Sequence, residues 1–210
     1  LRPVRTETLA ALQYFVGTLP FEEIHIISQS EMYIGLSFGD SSGPICEAVE
    51  DAREEGVVWV ASEGNIWPGH KWIGTWSDED SDGWYDFGDG DEILELAKPS
   101  PGSLSVNLDW NDYTTHGADL DVHLYRWNVN DWVLVASGEA TNGPLVDPYE
   151  DAALSSAMSG TYGISIYAHN PPSDGMAMRI LVLGDDKDAL EETTGGASYD
   201  PASCLNSLTT

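Results

Sequence analysis

A short acidic loop carries a metal-binding pattern. Aspartates stand at loop positions 1, 3, 5 and 9 and a glycine at position 6, namely Asp78, Asp80, Asp82, Asp86 and Gly83. Calcium takes about six to eight oxygen ligands, and alternating carboxylates around a glycine turn can surround one such ion. Asp89 falls at position 12, where an EF-hand loop has a bidentate Glu, but no helical pattern flanks this loop. The spacing predicts a Ca²⁺ site outside any EF-hand, with a solvated acidic turn as the alternative.

Two further groups of side chains are weaker binding candidates. Asp112, Asp119 and Asp121 form a second candidate cation site, because Asp119 and Asp121 share one face of a predicted strand and a core does not accept unpaired carboxylates. The second group consists of tryptophans within or beside predicted strands: Trp67, Trp72, Trp76, Trp84, Trp110, Trp127 and Trp132. Core packing is the simpler role for them. Stacking on sugars is the alternative, which would make the chain a polysaccharide-binding module.

The first third of the chain is predicted to alternate helix and strand. Apolar residues in 6–16 follow helical spacing, and the β-branched residues of 24–27 indicate a short strand. Gly43 and Pro44 open a second predicted helix, which Gly56 ends. The apolar run 57–61 follows directly, and such a run predicts a strand buried on both faces of a parallel sheet. These patterns predict an α/β architecture.

The pattern changes from about His70 onward. Short alternating segments are separated by Gly, Pro, Asn and Asp, which indicates an antiparallel β-sandwich. Residues 185–210 return to loop and a short predicted helix at 188–192. The predicted fold is therefore a partial α/β core of parallel strands and helices at 1–68, an inserted jelly-roll-like sandwich at 69–184, and a return segment at 185–210.

Three motifs in the first third resemble the subtilisin-like serine proteases, the subtilase family. They are the segments 26–30, 43–49 and 56–65, the last ending in Gly64-Asn65. The segments 108–112 and 118–124 are similar to a sandwich domain that some large secreted subtilases carry after this strand. The resemblance implies that the Asn65 amide stabilises the oxyanion of the reaction and that Ser28, Gln29 and Ser30 bind substrate. Glu63 departs from the family pattern, which has a small residue there.

The family's catalytic-triad motifs are missing from the sequence. It contains no Asp-Ser/Thr-Gly, His-Gly-Thr or Gly-Thr-Ser-x-Ala-x-Pro segment. The resemblance therefore implies the central fragment of a secreted serine endopeptidase that is inactive by itself, since the triad mechanism needs all three groups. Its partners would be the remainder of the protease chain or a protein substrate. The alternative is a non-catalytic binding or structural module, with protein, polysaccharide or self-association as its partner.

The charge balance excludes two other functional classes. The chain has 36 Asp and Glu against 8 Lys and Arg, a net charge of −28. Nucleic-acid and anionic-membrane binding both need clustered cations, so neither is expected. With three lysines, Lys71, Lys98 and Lys187, the acidic surface also predicts a protein adapted to high salt. A calcium-rich secreted protein is the competing explanation.

The sequence leaves the oxidation state of its cysteines open. Cys46 and Cys204 either form one disulfide or are two buried thiols, and no metal-type spacing accompanies them. No apolar run approaches the roughly 18 residues of a membrane span, and no positively charged, apolar signal segment opens the chain, which begins in mid-pattern at Leu1. These features predict a soluble fragment or processed product, and the family resemblance implies secretion.

Overall fold

The computed structural model of the 210-residue chain describes residues 9–18, 24–38, 41–62, 68–142, 147–172, 175–188, 190–191, 204 and 207–209. The chain divides into two compact units. The first unit comprises Leu1–Asn65 together with Ala197–Thr210, and the second comprises Ile66–Gly196.

The first unit contains two helices and a small parallel sheet. In chain order its elements are α1 (Leu9–Gly17), β1 (Ile26–Gln29), α2 (Pro44–Glu54), β2 (Val58–Ala61) and β11 (Ser207–Thr209). The sheet has the order β1-β2-β11, and Ile26 lies opposite Val58 at the start of the β1–β2 register. Cys46 and Cys204 form a disulfide, so the oxidised alternative holds in this structure.

Helix α2 is stabilised by hydrogen bonds at its N-terminus and by burial of its apolar face. Pro44 stands in the first turn, where its missing N–H removes no helical hydrogen bond. The Ser37 hydroxyl accepts hydrogen bonds from the Ile45 and Cys46 amides, each at 3.1 Å, and so satisfies two free donors of the first turn. The buried side chains pack with α1 and β2, and they are Ile45, Cys46, Ala48, Val49 and Ala52.

The parallel sheet is packed on one face and exposed on the other. Trp59 and Ala61 are buried in the core of the first unit. Val58 is 44% exposed and Ile26 is 66% exposed, so the face that they share is open to solvent. The prediction that the strand at 57–61 is buried on both faces is therefore wrong. The alternating accessibility of β2 is that of a strand with a single packed face.

The second unit is a sandwich of two four-stranded antiparallel sheets. Its strands are β3 (Lys71–Thr75), β4 (Leu94–Lys98), β5 (Gly102–Trp110), β6 (Asp119–Trp127), β7 (Trp132–Gly138), β8 (Tyr149–Ala157), β9 (Gly160–Asn170) and β10 (Ala177–Gly184). One sheet has the order β3-β10-β5-β8 and the other β4-β9-β6-β7. Successive strands alternate between the two sheets except for β6 and β7, which are neighbours in one sheet, and this is the double-sheet arrangement of a jelly roll.

Alternating residues of the strands fill the space between the two sheets. From β5, Leu104, Val106, Leu108 and Trp110 enter this core, and they are almost completely buried. The opposite face of β5 holds a buried ion pair, in which the Arg179 Nε lies 2.9 Å from Asp109 Oδ1. Burial raises the pKa of Asp109, while the neighbouring guanidinium opposes that rise.

The predicted fold class, a partial α/β core with an inserted antiparallel sandwich, is wrong for this chain. Of the eleven strands in the part of the chain that the structure describes, eight lie in antiparallel sheets and three pair in parallel. Within the described residues there are two short helices, of 9 and 11 residues. Because the parallel sheet exposes one face, it lacks, among those residues, the two helical layers of an α/β architecture.

Candidate functional site

The candidate substrate-binding residues lie at the end of β1. Ser28 and Ser30 are exposed, whereas Gln29 is half-buried and donates from Nε2 to the Tyr33 hydroxyl at 3.2 Å. The Ser62 amide donates to the Gln29 carbonyl at 3.1 Å, so the ends of β1 and β2 lie side by side. The predicted oxyanion donor, Asn65, lies outside the described residues.

The acidic loop brings three of its aspartates together. One carboxylate oxygen from each of Asp78, Asp80 and Asp82 lies within 4.8 Å of the others. Oxygens at about 2.4 Å from one Ca²⁺ can be at most about 4.8 Å apart, so this spacing fits a shared ion. Within the described part of the chain, no other group of three or more His, Cys, Asp and Glu side chains meets this criterion.

Hydrogen bonds inside the loop hold the carboxylates of Asp78 and Asp86 in place. Asp78 accepts from the amides of Asp82 and Gly83 at 3.2 and 3.1 Å. Asp86 is buried and accepts from the Glu79 amide at 2.6 Å. Gly83 has φ +95°, and a Cβ there would come within 2.8 Å of the Tyr167 ring, so this position requires glycine.

The sequence pattern missed Glu92, which is near the same loop. Burial raises the pKa of Glu92, and the charges of the four loop aspartates, Asp82, Asp80, Asp86 and Asp78, raise it further. Glu92 follows Asp89 by three positions and so lies beyond the last ligand position of the EF-hand spacing. Asp89 itself is exposed in a separate turn, which is closed by a 2.8 Å bond from the Asp91 amide to the Gly88 carbonyl.

The second set of predicted metal ligands is divided among different local interactions. Asp112 accepts from the Gly117 and Ala118 amides at 2.5 and 2.8 Å and so holds its own loop. Asp119 accepts from the Asn142 amide at 2.9 Å. Asp121 pairs with His169 at 2.9 Å. The structure therefore does not bring these three carboxylates to one point.

A row of aromatic rings covers part of the outer face of the β4-β9-β6-β7 sheet. Leu120, Val122 and Leu124 of β6 enter the core, so the alternate residues of β6 face outward. The same alternation applies to β9. We call this surface the outer aromatic face, and it consists of Trp84, His123, Tyr125, Tyr167 and His169. By contrast, Trp72 and Trp110 lie in the core, as the packing interpretation predicts.

Comparison with known proteins gives a likeness in fold only. No protein-family model matches the chain, and no curated protein matches it. Among solved structures, the chain is similar to the CspB protease of Clostridium perfringens, with a TM-score of 0.54 and 12% sequence identity. The match covers 99% of this chain and 46% of that chain, so this sequence spans less than half of the protease.

The likeness concerns the fold and not the family of the chain. It shows that a protease contains a segment with this fold, over almost all of the present chain. At 12% identity it does not assign the chain to the subtilase family or identify catalytic residues. Within the described residues, the helices are too short to cross a membrane.

Proposed function

We propose that this chain is the central part of a secreted subtilisin-like serine endopeptidase and that it contributes to binding substrate and stabilising the oxyanion. The observation that carries the proposal is the fold likeness to a protease across 99% of the chain. The motifs around Ser28 and Asn65 support the same assignment through their resemblance to the subtilases. The whole protein would hydrolyse peptide bonds through an acyl-enzyme, with the triad supplied by other segments.

The geometry at the end of β1 supports this role. Ser28 and Ser30 leave their side chains exposed, and the bond from the Ser62 amide to Gln29 places the end of β2 next to them. Sites in sheets with parallel strands form at such carboxyl ends. The sequence continues from β2 to Asn65, whose amide would donate a hydrogen bond to the negative charge that develops on the scissile carbonyl oxygen.

Calcium is the second part of the proposal. The loop carboxylates of Asp78, Asp80 and Asp82 would hold the ion, with Asp86 and Glu92 as nearby acidic groups. Hard oxygen donors at this spacing are the ligands that Ca²⁺ prefers. The bound ion would neutralise repulsion among these carboxylates and stabilise the loop that carries Trp84. The disulfide between Cys46 and Cys204 supports an oxidising compartment and hence secretion.

Replacing Asn65 in the full-length protein tests the catalytic proposal. We expect Asn65→Ala to lower kcat by about 10²- to 10³-fold with little change in KM, because the lost hydrogen bond forms in the transition state. Asn130→Ala, in an exposed turn of the second unit, is the control and should leave kcat unchanged. Unchanged kcat in Asn65→Ala, or a full-length protein without peptidase activity, contradicts the proposal. The 210-residue chain alone should not react with a fluorophosphonate probe.

A further inference from the structure

The outer aromatic face has rings that meet at an angle. The Trp84 ring lies 4.9 Å from Tyr167 and 5.2 Å from His123, in both cases with the ring planes tilted by 56°. The His169 ring stands nearly perpendicular to that of Tyr167, at 86°. Such separations and tilts are those of rings packed on one another. A tilted group of this kind offers no flat platform for a sugar, whereas a cation can lie over the face of a single ring.

Carboxylates border the same rings. Glu139 lies 3.1 Å from the His123 Nε2, and its side chain is 51% exposed. Asp121 pairs with His169 on the same face. Burial raises the pKa of the Tyr125 hydroxyl, and the charges of Glu139 and Glu92 raise it further, as expected where the local potential is negative.

The neighbouring cationic side chain, that of Arg126, makes a hydrogen bond to another part of the chain. Arg126 follows Tyr125 on β6, but its Nη2 donates to the Ser159 carbonyl at 3.0 Å. The chain as a whole carries a net charge of −28. A positively charged partner would therefore be attracted both by this face and by the rest of the molecule, while polyanions would be repelled.

Exposed apolar side chains continue from this face along β6 and β7. Trp127 lies opposite Trp132, and Tyr125 lies opposite Leu134, so these residues share one side of the sheet. Trp127 is 40% exposed and Leu134 is 47% exposed. The Trp132 ring lies against Gly163 of β9, where a Cβ would come within 3.1 Å of it. The surface thus combines a negative aromatic region with an adjacent apolar region.

We propose that the outer aromatic face binds a basic peptide segment, with a lysine or arginine side chain held against Trp84 and Tyr125 beside Glu139. Apolar residues of the same peptide would contact Trp127 and Leu134. Charge complementarity favours the cation, a ring face attracts it through its quadrupole, and the apolar region favours a peptide over a small amine. This inference does not depend on the protease proposal.

Calorimetric titration of the chain with synthetic octapeptides tests the inference. The probe contains lysine and leucine, and the comparison peptide has glutamine in place of lysine. We expect the lysine peptide to bind more tightly, and Glu139→Gln and Tyr125→Leu each to raise its Kd about three-fold or more. The two control variants remove a carboxylate and an aromatic ring that lie outside the outer aromatic face. Asp151→Asn changes an exposed carboxylate on the other sheet, and Tyr14→Leu removes an exposed ring on α1.

The outcomes separate a specific site from diffuse attraction. Weaker binding in both test variants, with unchanged binding in both controls, supports the site. Equal binding by all four variants overturns it, because net charge alone would then explain the affinity. Binding of a neutral cello-oligosaccharide in place of the lysine peptide assigns the face to glycans and also overturns it, as does the absence of binding to either. Melting curves confirm that the variants are folded.

Discussion

Replacing Glu150 by glutamine should stabilise the sandwich above neutral pH and have little effect in acid. Glu150 is buried on β8, and its Oε1 accepts a 3.1 Å hydrogen bond from the side-chain Nδ2 of Asn142. Burial raises its pKa from the ordinary 4.5 to about 7, and the charges of Asp121 and Asp151 add to the rise. The carboxyl group is therefore held in a site that disfavours its ionised form.

The sign of the effect follows from proton linkage. Between pH 4.5 and about 7 the folded protein keeps a proton at Glu150 that the unfolded chain has released. The stability associated with this group is thus complete below pH 4.5 and falls as the pH rises through about 7. At about 1.4 kcal/mol for each tenfold change in proton affinity, the full difference is slightly more than about 3 kcal/mol, and relaxation around the charge lowers the expected loss to about 2 to 3 kcal/mol.

Urea unfolding at two pH values measures this difference. Glu150→Gln should raise the free energy of unfolding by about 2 to 3 kcal/mol at pH 8 and by less than about 0.5 kcal/mol at pH 4.5. Asp151→Asn, the adjacent exposed residue, removes the same charge and should change stability by less than about 0.5 kcal/mol. An equal gain for Glu150→Gln at both pH values, or a gain at pH 8 no larger than that of Asp151→Asn, would refute the reasoning.

Three other predictions concern the loop, the disulfide and the buried ion pair. If the loop binds Ca²⁺, a concentration of about 100 times Kd should add about 2.7 kcal/mol and raise the Tm by about 8 °C, and Asp80→Asn should remove most of the gain. An EDTA-insensitive melting curve would exclude the site. Replacing Cys46 and Cys204 together by serine should destabilise the first unit by about 2 to 5 kcal/mol. In denaturing electrophoresis, the chain with both cysteines should migrate differently before and after reduction. Unchanged mobility would argue against the disulfide. Arg179→Met should destabilise the sandwich by about 3 to 5 kcal/mol in urea unfolding, because Asp109 is then left buried without its guanidinium partner. A change below about 1 kcal/mol would show that water or a rearranged side chain replaces that partner.

Local patterns in the sequence predicted many individual elements. The second predicted helix is confirmed as α2, and its predicted apolar residues Ile45, Cys46, Val49 and Ala52 are all buried. The strands predicted at 104–108, 120–125 and 162–168 are confirmed within β5, β6 and β9. These predictions are confirmed because the spacing of apolar residues within one element shows which of its faces is buried.

Features that depend on neighbouring elements were predicted less well. Strand β8 escaped prediction because Ala152, Ala153, Ser155 and Ser156 carry little apolar or β-branched signal, although Ala152 is buried. The short helix predicted at 188–192 is wrong in its described residues, since Leu190 forms an antiparallel bridge with Leu96. The fold class failed for a related reason. An apolar run such as 57–61 does not show whether a second layer covers the strand, and here Val58 is exposed.

The candidate sites show the same limit. The spacing of Asp78, Asp80 and Asp82 is local, so the prediction identified carboxylates that do lie together. Glu92, Glu139 and His169 join their partners through strand pairing or loop packing, and a linear motif does not record such contacts. The oxyanion assignment of Asn65 rests on sequence resemblance and stays a prediction.

The discontinuity of the first unit has a consequence for the order of synthesis and folding. Ser207 pairs with Trp59, which precedes it by 148 positions, and the disulfide joins residues 158 positions apart. At about 5 to 20 residues per second, a ribosome would need about 7 to 30 s between making β2 and making β11. The strands of the sandwich all emerge within that interval. One edge of β2 therefore stays unpaired on the nascent chain until the sandwich has been made, and during that time it is open to chaperones or to mispairing with another strand.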